Sequence, residues 1–541
     1  MSNRNAVAIL SVFVTGILAA LPVSAQSFRV QCPTSTITHP DPGNTGVNNL
    51  EPAYTGPTAL TPGANGYLVP STNVNGAIKC QQVSGGDGYA TMADGTQTFM
   101  FAFGPLSGLA DIASGQPGTE FPSVFNTLAP VTLKPGDPAM SDAQVNTVWP
   151  PTNNLGAFTW NGAVGLAPDL DNGNAIDGHV DPRQTMDIGV MNGNIPAPLM
   201  AIDEDDEFFL TLSNVGMIMR PDLFEQHTIH FHGYPNASAF YDGVPDASVA
   251  INIGGSFTYY YLAPDAGTYF WHCHITPPEH LQMGMVGQIY VRPRQNRVPG
   301  STSVYAALQA QQTDLRTACN SKADILCTNP LPAGGDDGVT GGYVNGAATK
   351  RFAYNDGDGS TAYDVEYPLQ IHGFDPNFHF VGMTFNPEGF VDMKDKYFLL
   401  NGRSYPDTVT PGPMQTQTAD GKNHFSQPLP SIINIPAGGR ALLRISDLDV
   451  TEYQTLASLG IPMQVVGLNA KLLRDQSGNN LYYSTNSITL AGGESLDVIL
   501  DASNKTLYPS GSVFYLFTPQ LDHLSNDAEN FGGLMTEVHI N

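Results

Sequence analysis

His227-Thr-Ile-His230-Phe-His232-Gly233 and Trp271-His272-Cys273-His274-Ile-Thr-Pro277-Pro278-Glu-His280-Leu-Gln-Met-Gly-Met285 are the two stretches on which the reading of this chain turns. Six of the 13 histidines fall between His227 and His280, around a single cysteine. Side chains on a strand alternate between faces with a period of two. His230 and His232 therefore share a face, His272 and His274 share a face, and Cys273 points to the opposite one. A blue-copper site takes two imidazoles, one thiolate and a weak axial thioether. Cys273, His280 and Met285 supply three of these, and His227 from the earlier stretch is the obvious second imidazole. The soft sulfur ligands favour copper over magnesium or calcium, and a structural zinc site would show cysteines paired at short spacing.

The segments around these motifs read as strands. Gln97-Thr-Phe-Met-Phe-Ala-Phe-Gly104 begins an alternating apolar run, and Glu207–Ser213 and Ser256–Leu262 are β-rich runs bounded by turns. A second strand-rich block includes Arg440–Ser446 and Ser510–Phe517. One short helix is expected within Ser303–Thr317. With 41% hydrophobic residues the 541-residue chain is too apolar for disorder, and 56 Gly and 42 Pro rule out a long-helix protein. The fold class is all-β. The expected order is a signal peptide over 1–25, an irregular N-terminal extension over 26–90, and a first domain over 91–295 with a loop insertion at about 112–185. A linker over 296–350 and a second domain over 351–541 follow.

The formal charge of −27 argues against nucleic acid as a partner. Arg4, the apolar run Ala6–Val23 and the small residues Val23-Ser24-Ala25 have the pattern of a secretory signal, so the protein is expected to be exported, to the periplasm or beyond. No second apolar run of that length follows, and no membrane span is expected once the signal is removed. Export permits disulfides. By neighbourhood Cys32 pairs with Cys80 and Cys319 with Cys327, which leaves Cys273 for the metal.

The segment from about Asn192 to Pro293 resembles a cupredoxin domain of the multicopper oxidase family. His227, His230, His232 and Gly233 match its H-x-x-H-x-H-G motif, and His272, Cys273 and His274 match its H-C-H motif. Asp242-Gly243-Val244-Pro245 and Gly267-Thr-Tyr269 resemble the text between the motifs; Tyr397–Arg403, Leu442–Ser446 and Gly532–Met535 resemble the family more weakly. The resemblance implies two cupredoxin-like Greek-key β-sandwich or barrel domains. It implies type 1 copper ligands His227, Cys273, His280 and Met285, a type 2 ligand at His230, and type 3 ligands at His232, His272 and His274. Cys273, His272 and His274 would carry electrons from the first centre to the second.

Two departures stand out. Cys273 and His280 are seven residues apart, longer than in laccase-like members and shorter than in nitrite-reductase-like ones. The second block also lacks the H-x-H-G and H-x-H motifs that complete the family's trinuclear cluster; His372, His379, His424, His523 and His539 are scattered and read as core or surface residues. The second domain is thus expected to lack copper. The leading expectation is a secreted copper oxidoreductase oxidising a phenol or metal ion and reducing O2, with its cluster completed between the copies of a homo-oligomer. Two alternatives are a type 1 copper electron-transfer or copper-binding protein, and a nitrite-reductase-like enzyme.

Overall fold

A computed structural model describes residues 30–108, 111–112, 114–126, 168–171, 175–180, 191–234, 240–263, 265–313, 329–384, 389–417 and 423–541. The signal-like segment 1–25, most of the insertion at 112–185, and Cys319 and Cys327 lie outside these residues.

The first sandwich is built from β1 (Ile78–Thr91), β2 (Gln97–Pro105), β3 (Met200–Asp203), β4 (Glu207–Gly216), β5 (His230–Phe231), β6 (Ser256–Leu262), β7 (Gly267–His272) and β8 (Val286–Arg292). One sheet runs β6-β4-β1-β2 and the other β3-β8-β7-β5. Val83, Phe101 and Leu210 from the first sheet meet Met200, Trp271 and Ile289 from the second in one buried core.

The sequence reading misplaced β1. Its residues were expected to belong to an irregular extension reaching 90, yet Ile78–Thr91 is a fourteen-residue strand between β4 and β2. Burial on both faces conceals the pattern. Gln81, Gln82, Ser84 and Asp87 are fully buried in it, so no polar-out alternation marks the strand. The disulfide Cys32–Cys80, with Cα atoms 5.8 Å apart, ties the preceding segment to β1 as expected.

Helix Val304–Gln311 falls inside the expected helical stretch, and the Ser303 hydroxyl caps it. The second sandwich comprises β9 (Val365–Phe374), β10 (Tyr397–Leu400), β11 (Ile433–Ile435), β12 (Arg440–Asp447), β13 (Gln454–Leu459), β14 (Met463–Leu468), β15 (Ser487–Leu490), β16 (Ser495–Asp501), β17 (Val513–Phe517) and β18 (Met535–Ile540). One sheet contains β10-β9-β12-β16-β14 and the other runs β11-β18-β17-β13-β15. Their facing apolar residues, among them Leu443, Val498, Leu456 and Val538, form a second core.

The second sandwich covers the outer face of the β7–β8 sheet. Phe270, Leu281 and Val286 pack with Phe374, Leu399 and Leu448. The Gln288 side chain donates to the Arg444 carbonyl at 3.0 Å, and Thr268 Oγ1 donates to Asp497 at 2.6 Å. Arg444 is buried between Glu366 (3.0 Å) and Asp497 (3.5 Å) and lies over the Tyr290 ring. A buried ion pair of this kind is costly to break once formed. The alternation along β7 therefore has a clear meaning: Tyr269 and Trp271, with Cys273 beyond the strand end, face their own core, while Phe270 and His272 face the neighbouring sandwich.

Candidate metal centres

Cys273 follows directly on β7, and its backbone N–H donates to the Met285 carbonyl at 3.1 Å. Its Sγ is fully buried among side chains that include Trp271 and Met283. His280 Nδ1 lies 3.3 Å from that sulfur and His227 Nδ1 lies 3.9 Å from it. The Thr228 N–H points at Sγ at 3.5 Å, and the Ile275 N–H adds a second backbone hydrogen bond. Hydrogen bonds of this kind stabilise a thiolate and tune the potential of a copper bound to it.

His280 owes its position to the residues that lengthen the Cys–His spacing. Pro277 and Pro278 do not form an open loop; they start helix α1 (Pro277–Gln282), where a proline lacking its N–H is well tolerated. The Met285 N–H donates to the His280 carbonyl at 2.8 Å, which brings the methionine back toward the site. Met285 is fully buried. His227 is held by reciprocal backbone bonds to Ile251 (3.1 and 2.9 Å). The outer nitrogen of His280, Nε2, lies 3.9 Å from a Glu225 carboxylate oxygen.

On the other side of the chain at Cys273, His230, His232 and His272 bring ring nitrogens together within 4.8 Å of one another. His232 Nε2 and His272 Nε2 are 3.1 Å apart. His230 Nδ1 bonds the Asp242 carbonyl at 2.6 Å and His272 Nδ1 bonds the Cys273 carbonyl at 2.7 Å. Gly243 makes the first of these possible. With φ +84° it turns the chain so tightly that a Cβ there would lie 2.0 Å from the Ile229 carbonyl oxygen. His274 is half-buried with its ring 5.0 Å from that of His230; it stands beside the three rather than among them.

Burial favours the neutral form of His227, His230, His232, His272 and His280. It pushes His280 down to about 3 and His232 to about 4, and it lowers His227, His230 and His272 in the same direction. Neutral imidazole is the form that ligates metal. Burial also pushes the Cys273 thiol up to about 11, so binding a metal there must displace its proton.

Among the described residues the second sandwich contributes no imidazole to either group. His372, His379 and His523 are buried and bonded within the core; His379, for example, faces the Phe99 and Gln282 carbonyls. His539 bonds Glu537, and the His424 side chain lies outside the described residues. In their place, Asp449, Thr451, Glu452, Tyr453, Gly492 and Gly493 wall a cavity of about 500 Å³ that His232 and His272 also line. Sequence reasoning missed Gly493 and the Asp242 carbonyl, because groups that act through the main chain leave no side-chain signal.

Residues 175–296 match the family model described as multicopper oxidase. A laccase of Aspergillus fumigatus is 31% identical over 128 residues, 23% of this chain and 20% of that protein. A copper-containing nitrite reductase of Rhizobium meliloti is 35% identical over 114 residues, 20% of this chain and 27% of that protein. These matches span only a small part of each relative. The solved structure of a blue copper oxidase from Nitrosomonas europaea aligns at 18% identity and a TM-score of 0.45, covering 85% of each chain. The segment that carries Cys273 and its six histidines thus matches the multicopper oxidase family model and is similar to parts of copper-containing oxidoreductases. Copper is the cofactor this match implies, and the donors suit it: a buried sulfur with two imidazole nitrogens on one face, three imidazoles on the other.

Proposed function

We propose that the chain is an exported copper oxidoreductase. It takes electrons one at a time from a small donor beside His280 and passes them through Cys273 to the His272 and His274 side, where O2 is reduced to water. His227, Cys273, His280 and Met285 would hold one copper, and His230, His232 and His272, flanked by His274, would hold copper on the other face. Bound there, the metal would supply one-electron transfer at the first centre and reduction of the acceptor at the second.

The observation that carries this reading is the position of Cys273. Its sulfur faces His227 and His280, its carbonyl holds His272 Nδ1, and His272 Nε2 faces His232. One residue thus joins the two groups through covalent bonds and one hydrogen bond. Glu225 beside His280, within a strongly acidic chain, supports a cationic donor such as a reduced metal ion as readily as a phenol. Neighbouring copies completing the second centre in a homo-oligomer would account for the missing second-domain histidines. The signal-like N-terminus and the Cys32–Cys80 disulfide support export. Among the described residues no helix is long and apolar enough to cross a membrane.

Copper content, the visible spectrum and oxygen uptake with a phenol and with a reduced metal ion, measured on the purified oligomer, test the proposal. Blue protein with more than one copper per chain and donor-dependent oxygen uptake is expected. Fully loaded protein that takes up no oxygen with either donor would refute it. The nitrite-reductase relative and the three imidazoles gathered within one chain favour a second reading, in which the second copper is mononuclear and nitrite is the acceptor. Nitrite turnover without oxygen uptake would select it. One blue copper and no turnover would leave an electron-transfer protein.

A further inference from the structure

An imidazole can ligate an ion only through a ring nitrogen that carries no proton. A neutral imidazole has one N–H, and whichever nitrogen donates it elsewhere leaves the other free as a lone pair. For His230 and His272 the N–H is spent at Nδ1, on the Asp242 and Cys273 carbonyls, both within the first sandwich. For His232 the partner comes from the other sandwich. The ring hydrogen-bonds the Gly493 backbone in the sense that favours a ring N–H, which makes the carbonyl the acceptor. The donating atom is Nδ1. Nδ1 and Cε1 are the ring atoms that a Cβ on Gly493 would meet, whereas Nε2 is turned to His272 Nε2 at 3.1 Å.

All three N–H groups are then committed to carbonyls, and two Nε2 lone pairs face each other with no hydrogen between them. That is unfavourable unless an electrophile sits there. A separation of 3.1 Å suits neighbouring ligands on one ion with metal–nitrogen bonds of about 2.0 Å.

Gly493 is built for this contact. Its N–H is fixed to the Asp447 carbonyl at 2.9 Å, and its φ is +89°. A Cβ at this position would lie 2.9 Å from both His232 Nδ1 and Cε1, so any side chain would push the ring away. We propose that Gly493 of the second sandwich is a positioning residue of the imidazole centre: its carbonyl fixes the His232 tautomer that presents Nε2, and its missing side chain makes room for the ring. A domain that supplies no ligand among the described residues thereby sets the orientation of one. This rests on the reading of His230, His232 and His272 as a copper site.

Two measurements on the full-length protein test it. In metal-free, 15N-labelled protein, imidazole NMR should place the His232 proton on Nδ1; a proton on Nε2 overturns the proposal whether or not copper binds. Copper titration followed by paramagnetic resonance should show G493A keeping the thiolate–copper band while losing affinity at the second centre by about 10- to 100-fold, as other outer-sphere partners of metal ligands do. G493N separates backbone strain from contact, since Asn tolerates positive φ but still carries a Cβ. It should regain the thermal stability that G493A loses and still bind the second copper weakly. Wild-type affinity in both variants overturns the proposal. Wild-type protein that binds no second copper while His232 carries its proton on Nδ1 refutes the copper reading of this face and leaves the tautomer assignment standing.

Discussion

Gly85→Ala is a small change with a large expected effect on the thiolate centre. Gly85 lies in β1, remote in sequence from every ligand, but its Cα backs onto the His227 ring. A Cβ there would sit 2.6 Å from His227 Cδ2, 3.0 Å from Cγ and 3.3 Å from Cβ. Ordinary contact begins at 3.4 Å. The ring must therefore yield by about 0.8 Å, several times the roughly 0.2 Å tolerance of metal–ligand distances. The ring has little freedom to do so, because His227 is fully buried and its backbone is bridged to Ile251 in both directions. Gly85 does not have a positive φ, so alanine meets a contact and no backbone strain.

Overpacking of this kind costs about 1–3 kcal/mol of folding stability, which a domain of this size can survive. The folded variant is expected to bind copper at Cys273 more weakly and with an altered visible band and hyperfine splitting. Gly334→Ala, where a Cβ meets nothing within 4 Å, is the control. A G85A protein with the wild-type band, splitting and copper affinity would show that His227 is not held where the structure has it, or is not a ligand.

Cys273→Ser should abolish the blue absorption and with it electron entry, read by spectroscopy and by donor oxidation; a blue serine variant would remove Cys273 from the centre. His232→Ala should keep the blue band and lose acceptor turnover, and retention of full turnover would exclude His232 from the second centre. Asp87 is fully buried and burial pushes its carboxyl up to about 7, with the Met219 and Ile218 N–H groups opposing. A raised carboxyl stabilises the fold below the ordinary carboxylate range and loses that contribution as pH rises through about 7. Relative to Asp87→Asn, the wild type should lose up to about 4 kcal/mol between roughly pH 4 and pH 8, measured by denaturant unfolding. A difference that does not change with pH would mean that Asp87 ionises freely.

What the sequence disclosed follows from where the chemistry resides. Ligand side chains are rare residue types, and strand periodicity converts their spacing into faces, so spacing alone separates Cys273 from His272. The sheets could be anticipated where apolar and β-branched residues run together, as in β4 and β12, even though both are almost wholly buried. β1 escaped because, with both faces covered, its polar residues are buried too and find partners inside: Gln82 donates to Ser213 at 3.1 Å and Ser84 to Asn192 at 2.7 Å. The α1 turn escaped because a pair of prolines signals a break in a strand as readily as the first turn of a helix.

The absence of histidine pairs from the second block first suggests a domain detached from the chemistry. Its contacts argue otherwise. Phe270 and His272 alternate with Trp271 and Cys273, and the face that carries Phe270 and His272 is the one buried against the second sandwich, through Phe374, Leu399 and Leu448. A lone sandwich would leave that face, and the Nε2 side of His232 and His272, open to water on a broad surface. The second sandwich narrows it to one cavity, walled by Asp449, Glu452 and the Gly492–Gly493 turn. Covering the site requires neither metal nor imidazole, only a surface that fits. That requirement constrains backbone shape and small residues more than ligand identity, and the second sandwich meets it with the Gly492–Gly493 turn while His372, His379 and His523 are buried elsewhere.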